Sequence, residues 1–289
     1  MYAELRRELI AVKFCKPLVA NPDYDGVELE NEIHALTEAL PAKHPRVIEA
    51  FDTYDDGHIQ WLTTRYMTGG DLQCFVNKFP WAVSESLIWH IGYQIAEGLA
   101  HLFFGANAAN NMSPAAGWPC IFHGDIHLGN LFLGPAVSGK SLGNFPDLVL
   151  ADFGESDHYP ASEQVPVTGF VTYLSHHVRD LYNAGKALEE LLDVLVVDGR
   201  TLARDSVLLD GIDRFGAIRV EGPKKVSKEG ILKLLSGFMI VADEQRRKYY
   251  QPMPADAAAS LVAEKVSDGD LEMIFCRSGS HSKPKKGKR

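Results

Sequence analysis

The pattern of apolar and polar positions divides the chain into two parts that meet near residue 68. In the first part, short apolar runs bounded by turn residues predict strands. These predicted strands cover residues 9–14, 47–54 and 59–66. Between the first two, apolar residues recur at helical spacing, which predicts an amphipathic helix over residues 27–40 that Pro41 ends.

After residue 68 the pattern favours helices. Residues 86–104 carry apolar side chains on several faces, so we expect a long helix that is largely buried. Further helices are predicted over residues 180–196, 231–242 and 255–266. Short apolar strands are predicted at residues 121–133 and 148–153, next to loops at residues 105–117 and 134–146. A small strand-rich part beside a larger helical part predicts an α+β fold with a cleft between the two.

Composition and charge exclude several classes of protein. The net charge of −9 gives the body of the chain no basic surface of the kind that binds nucleic acid, so no nucleic-acid partner is expected. No apolar run approaches the roughly 18 residues of a membrane span, and the first residues do not form a secretory signal. Cysteines are scattered without zinc spacing, which fits a reducing compartment: Cys15, Cys74, Cys120 and Cys276. We therefore expect a cytoplasmic or nuclear protein.

Three oxygen-bearing side chains follow predicted strands and are candidates for chemistry. Asp125 and Asn130 lie five positions apart on a short loop, and Asp152 stands at a second strand-to-loop junction, before Phe153-Gly154. Carboxylate and amide oxygens, together with substrate phosphates, are ligands that suit Mg²⁺. A carboxylate such as Asp125 can also orient and deprotonate a hydroxyl nucleophile.

Each of these residues alone has a simpler interpretation, because a single Asp or Asn in a loop is usually a turn or cap residue. The ordered string His-x-Asp-x-x-x-x-Asn followed by Asp-Phe-Gly is a composite match, and on it the chain resembles the protein-kinase superfamily over residues 9–266. The resemblance implies a two-lobed protein-kinase-like fold. It divides the chain into an incomplete β-rich lobe at residues 1–68 and a helical lobe at 69–277. Five positive charges among the last seven residues predict a basic disordered tail at 278–289.

The resemblance also implies roles for residues that would bind ATP. Lys13 matches the strand lysine that holds the nucleotide phosphates, and Glu32 matches its partner on the first large helix, so the two are expected to form an ion pair. Asn130 and Asp152 match the residues that hold Mg²⁺, and Asp125 matches the catalytic base.

Residues 61–72 resemble the hinge between the two lobes. Backbone groups of Arg65 and Met67 would meet the adenine edge, and Thr64 would line the back of the pocket. Asp71 would reach the ribose, and Phe132 would form the apolar floor under the adenine.

Two residues farther along match structural positions of the family. Asp180 matches the start of the central buried helix, where the Asp supports the catalytic loop, although a helix cap is the simpler alternative. Arg246 or Arg247 lies near the family's late structural arginine.

The sequence departs from the family at several positions. Residues 1–12 contain no glycine, so the glycine-rich loop over the phosphates is expected to be missing from this chain. Gly124 replaces a common arginine, and His127 stands where many protein kinases carry a lysine. No Ala-Pro-Glu triplet precedes Asp180, and residues 167–173 only vaguely resemble the peptide-docking region. Adjacent histidines at 176 and 177 lack further ligands at metal spacing, which favours surface or packing roles.

The expected function is therefore transfer of the ATP γ-phosphate to a Ser/Thr hydroxyl of a protein, with ATP and Mg²⁺ as cofactors. A small-molecule kinase of the aminoglycoside- or choline-kinase type stays open, since the loop of those enzymes often reads His-Gly-Asp. A catalytically impaired pseudokinase that binds a partner also stays open, because of the missing glycine-rich loop.

Overall fold

The computed structural model describes residues 10–15, 27–56, 59–107, 111–136, 142–159, 167–197, 210–213 and 227–262. Within these residues the fold is mixed α+β, with small antiparallel sheets and longer helices. No helix in these segments is long and apolar enough to cross a membrane.

The first part of the chain forms a three-stranded antiparallel sheet. Its strands are β1 (Ile10–Cys15), β2 (Ala50–Asp55) and β3 (Gln60–Arg65), in the order β1-β3-β2. Helix α1 (Val27–His34) contacts β3 and continues as a π-helical turn, Ala35–Ala39. The predicted strands and helix of this region are confirmed, with ends shifted by a few residues.

The second part is built around a buried helix. The helices are α2 (Leu72–Lys78), α3 (Glu85–Phe104), α4 (Val167–Val197), α5 (Lys228–Lys248) and α6 (Ala255–Ser260). Ser84 begins α3 by accepting a hydrogen bond from the Leu87 N–H, and nearly every residue of α3 is buried. Helices α4 and α5 pack against α3, as do strands of two small ladders. The predicted burial of this helix is confirmed.

Two short antiparallel ladders lie next to α3. One pairs β4 (Cys120–Phe122) with β7 (Asp157–Tyr159), and the other pairs β5 (Leu131–Gly134) with β6 (Asp147–Leu150). All four leucines of the second ladder are buried: Leu131, Leu133, Leu148 and Leu150. The loops that follow β4 and β6 carry the candidate chemistry.

A buried segment joins the small sheet to the second ladder. The Ile48 N–H donates to the Leu150 carbonyl, and the Leu150 N–H donates to the Arg46 carbonyl, each at 2.9 Å. The buried Arg46 side chain donates to Glu97 on α3 and to Asp147 on β6, both at 2.8 Å. The two carboxylates offset the cost of removing the Arg46 guanidinium from water.

Three details of the sequence prediction were wrong. The apolar stretch 121–133 is not one strand, since β4 and β5 occupy only its ends. Helix α4 begins at Val167, well before Asp180, and α6 ends at Ser260, where the prediction continued to residue 266. The apolar pattern predicts where these helices and strands lie. Their first and last residues depend on contacts with segments that are distant in sequence. The predicted tail at 278–289 lies outside the described residues.

Candidate active site

The loop after β4 is held by a buried carboxylate on α4. Asp180 Oδ2 accepts a hydrogen bond from the His123 N–H at 2.8 Å, and its Oδ1 accepts from the Gly124 N–H at 2.9 Å. Burial raises the pKa of the Asp180 carboxyl to about 6. Asp180 therefore supports the loop from the interior of α4, and it does not cap that helix.

His123 links this loop to the segment that carries Asp152. Its buried ring donates from Nε2 to the Ala151 carbonyl at 2.9 Å, since a carbonyl oxygen only accepts. Its Nδ1 accepts from the Asp125 N–H at 3.3 Å. These bonds require a neutral ring, and burial lowers the pKa of His123 to about 4. The sequence motif contained His123, but nothing in the sequence indicated this linking role.

Gly124 is required by the shape of the loop. Its φ is +86°, and a Cβ at this position would lie 2.0 Å from the Glu155 carbonyl oxygen. A side chain at residue 124 would thus collide with the chain that follows Asp152. This contact gives a physical reason for a glycine where many protein kinases have an arginine.

Asp125 and Asn130, which lie on the same loop, are in direct contact. Asn130 Nδ2 donates to the Asp125 carbonyl at 2.9 Å and to Asp125 Oδ2 at 3.1 Å. The Asp125 side chain is 51% exposed, whereas Asn130 is buried. The carboxylate is therefore oriented by the amide and open to an incoming molecule.

His127 contacts the same carboxylate oxygen of Asp125 as Asn130 does. Its Nε2 is 3.4 Å from Asp125 Oδ2, and its Nδ1 accepts from the Gly129 N–H at 3.1 Å. A Cβ on residue 129 would lie 2.8 Å from His127 Cε1, so Gly129 leaves room for the ring. Since Nδ1 is an acceptor, Nε2 carries the proton and points toward Asp125.

Asp152 and Asn130 lie at the same end of the β5–β6 ladder. Leu131 pairs with Leu150, and the Ala151 N–H donates to the Asn130 carbonyl at 3.0 Å. Asp152 has a φ of +65°, which is uncommon for a residue with a side chain. Such strained positions are concentrated at functional sites, and this one directs a carboxylate toward the small sheet.

The predicted ion pair between Lys13 and Glu32 is present. Lys13 Nζ donates to Glu32 Oε2 at 2.6 Å and to Asp152 Oδ1 at 2.7 Å. Burial alone would lower the pKa of Lys13, but the two carboxylates outweigh burial and raise it. Burial raises the pKa of Glu32, and Lys13 opposes that shift. One ammonium group thus joins β1, α1 and the segment after β6.

A second link between α1 and this segment was missed by the sequence reasoning. Asn31 Nδ2 donates to the Gly154 carbonyl at 3.1 Å, and the Phe153 backbone hydrogen-bonds to the Glu32 carboxylate. The only available signal was the position of Asn31 next to Glu32, which does not specify a partner over a hundred residues away.

The predicted hinge residues lie beside β1 and β5. Thr64 pairs with Ala11, two positions from Lys13, so the alternation of side chains places Thr64 and Lys13 on one face of the sheet. Arg65 is exposed and lies 3.6 Å from Glu49. Met67 is buried, and its carbonyl accepts from the Gly70 N–H at 3.0 Å. A carbonyl has two lone pairs, so this bond leaves one for a ligand.

Asp71 has a structural role that the sequence reasoning did not give it. Its Oδ1 accepts from the Cys74 N–H at 2.7 Å and so caps α2. Asp71 also forms a β-bridge with Phe132, whose side chain is half-buried. The segment predicted to be the hinge is thus attached directly to the strand that follows Asn130.

Two other candidate positions are structural. Arg246 is buried, and it donates to His90 Nδ1 at 2.9 Å and to Asp243, whereas Arg247 is exposed. Asp243 therefore pairs with the buried Arg246 guanidinium within the same helix. Buried His177 lies 3.5 Å from Cys120 Sγ, which agrees with a packing role.

No protein-family model matches the chain, and a search of curated proteins finds no match. Among the described residues, no group of three or more His, Cys, Asp or Glu side chains is arranged to hold a metal ion.

Proposed function

We propose that this chain is an ATP- and Mg²⁺-dependent phosphotransferase with a two-lobed, protein-kinase-like fold. In this proposal the sheet with α1 forms the small lobe and the helices from α2 onward form the large one. One arrangement carries the proposal: Lys13 Nζ lies within 2.7 Å of both Glu32 and Asp152, at the end of the ladder where Asn130 contacts Asp125. Residues from four separate segments of the chain, around positions 13, 32, 125–130 and 152, thus meet at one end of the ladder.

The residues present suit a magnesium ion bound with a nucleotide. Asn130 uses Nδ2 in its bonds to Asp125, which leaves its amide oxygen for a cation. Asp152 uses Oδ1 to bind Lys13, which leaves Oδ2. Mg²⁺ in nucleotide sites usually has one or two protein ligands, and phosphates and water supply the others. The two oxygens of Asn130 and Asp152 are therefore enough for such a site. The bound ion would neutralise charge on the transferred phosphate.

The chain's own residues would then divide the remaining work. Lys13 would hold the nucleotide phosphates, because its ion pair with Glu32 orients the ammonium group. Asp125, oriented by Asn130 and open to solvent, would accept the proton of the attacking hydroxyl. Thr64, the Met67 backbone and Phe132 would surround the adenine.

The acceptor we propose first is a Ser/Thr hydroxyl of a protein, because the hinge and the Asp180 support resemble those of protein kinases. A second candidate, a small hydroxylated molecule, is favoured by the backbone at residues 167–173. That stretch, which only vaguely resembles the peptide-docking region, is the first part of helix α4, and a helix offers no strand edge to an extended peptide. Incubation with peptides and with amino alcohols separates the two acceptors.

Nucleotide binding and turnover test the proposal together. With Mg²⁺ and ATP at about 100 times the dissociation constant, binding adds about 2.7 kcal/mol to the free energy of unfolding and so raises the Tm. We expect Asp152→Ala to abolish both this shift and phosphate transfer. Asp125→Ala should keep the shift and lose at least about 100-fold in kcat. Exposed Asp193 on α4 gives a matched control, Asp193→Ala, that changes neither.

Retention of transfer by both site variants would show that these roles are wrong. Absence of any shift at millimolar nucleotide would instead support a chain that binds a partner without ATP.

A further inference from the structure

Two histidines from different elements meet outside the proposed active site. His34 is the last residue of α1, and His158 is the middle residue of β7. Their Nε2 atoms are 3.3 Å apart, and their ring centroids are 4.6 Å apart. Both side chains are partly exposed, so small ions in solution reach them.

The orientation of His34 leaves a lone pair at the point of contact. Its Nδ1 lies 3.0 Å from Glu38 Oε2, and an ionised carboxylate only accepts, so Nδ1 carries the proton and Nε2 does not. A histidine whose Nδ1–H donates to a carboxylate while Nε2 faces outward is a recurrent arrangement of metal ligands. The direct contact then requires that His158 Nε2 hold a proton.

The separation of the two nitrogen atoms matches that of ligands on one metal ion. Zinc binds histidine nitrogen at about 2.0–2.1 Å with near-tetrahedral angles, which places two such nitrogens roughly 3.3 Å apart. For a cation to bind both Nε2 atoms, the His158 proton moves from Nε2 to Nδ1 by exchange with water, so that the ring stays neutral, and the two rings rotate slightly. Imidazole pairs suit Zn²⁺, Cu²⁺ and Ni²⁺, and they suit Mg²⁺ poorly.

We propose that His34 and His158 form a two-histidine site for a borderline divalent cation such as Zn²⁺, with Glu38 orienting His34. Water would fill the remaining positions, since the described residues supply no third ligand of this type. Such a site binds more weakly than a structural zinc site with four protein ligands.

The site has a consequence for the neighbouring residues. Helix α1 also carries Asn31 and Glu32, which bond to the Gly154 carbonyl and to the Phe153 backbone, and β7 begins three residues after Gly154. A cation at the histidine pair would tie α1 to β7 and so hold Glu32 near Lys13. Binding itself does not depend on the proposed phosphotransfer, and it is tested without nucleotide.

Calorimetric titration of chelator-treated full-length chain with ZnCl₂ at neutral pH tests the site. We expect uptake of one Zn²⁺ that depends on both rings, with at least tenfold weaker binding in His34→Gln and in His158→Gln. Glutamine keeps a hydrogen-bonding group near each Nε2, so these variants retain the fold. Glu38→Gln should weaken binding about tenfold, the effect typical of a residue that orients a ligand.

His176→Gln on α4 is the matched control, since its Nδ1 faces Asp157 and not the pair, and it should bind as the wild type does. Equal binding by wild type and both pair variants would place the ion elsewhere, for example at the exposed Cys74, and would overturn the proposal. No uptake at submillimolar Zn²⁺ would show that the pair is only a hydrogen bond between two imidazoles.

Discussion

The two sheets that carry the proposed site differ in how completely they are covered. The β5–β6 ladder lies against α3, and its leucines are inaccessible to solvent. The three-stranded sheet leaves apolar side chains on one face open, with Ile10 54% and Val12 44% exposed. The proposed base and metal ligands adjoin the covered ladder, while Lys13 belongs to the open sheet.

This difference indicates how firmly each half of the site is placed. The loop after β4 is fixed by Asp180 and His123, whose hydrogen bonds are buried and costly to break. Lys13 is placed by two ion pairs that its own side chain makes. We therefore expect changes around the loop to cost stability, and changes on the open face of the sheet to cost little.

The largest effect is expected for Gly124→Ala. The new Cβ would lie 2.0 Å from the Glu155 carbonyl oxygen, at a φ of +86°, so both strain and collision oppose it. We expect a loss of about 4 kcal/mol in the free energy of unfolding, measured by urea denaturation. Gly117→Ala is the matched control, because its φ is +70° and nothing lies within 4 Å of an added Cβ. It should lose only about 1 kcal/mol, and equal losses would mean that the collision at residue 124 is relieved.

Gly124 also shows which structural features could be predicted from the sequence and which could not. The strands, the long buried helix and the Lys13–Glu32 pair were predictable, because they depend on local periodicity or on the spacing of a known motif. The need for glycine at 124 depends on Glu155, which is adjacent only after folding. Likewise Arg46 is typical of a surface residue in the sequence, and its burial depends on Glu97 and Asp147 from two other elements.

A second effect, about 3 kcal/mol, is expected on acidification. Burial lowers the pKa of His90 to about 4. The Arg246 guanidinium, which donates to His90 Nδ1, lowers this pKa further, whereas donation from Nε2 to the Pro146 carbonyl opposes the shift. The unfolded chain, with a histidine pKa near 6.5, binds the proton first, so stability falls as the pH drops from 6.5 to 4. A difference of about 2.5 pKa units corresponds to about 3 kcal/mol. In His90→Gln the free energy of unfolding should fall by about 3 kcal/mol less between pH 7 and pH 4 than in the wild type.

Unfolding free energies of wild type and His90→Gln at pH 7 and pH 4 give the measurement. The lowered pKa of His123 also reduces the free energy of unfolding as the pH falls. Asp180 opposes it, since its pKa is raised to about 6 and its protonation favours the folded state as the pH falls. An identical pH dependence in the two proteins would mean that His90 is accessible to protons in the folded state.

The smallest effect is expected when the same substitution, Val to Thr, is made once in the covered β5–β6 ladder and once on the open face of the three-stranded sheet. Val149 in β6 is 6% exposed, so Val149→Thr places a hydroxyl in the core and should cost about 2 kcal/mol. Val12→Thr on the open face should cost less than about 0.5 kcal/mol, because the hydroxyl stays in water. Chemical denaturation of both variants measures the difference. A similar cost at both positions would show that the open face of the sheet is covered in solution, and the contrast between the two sheets would then be wrong.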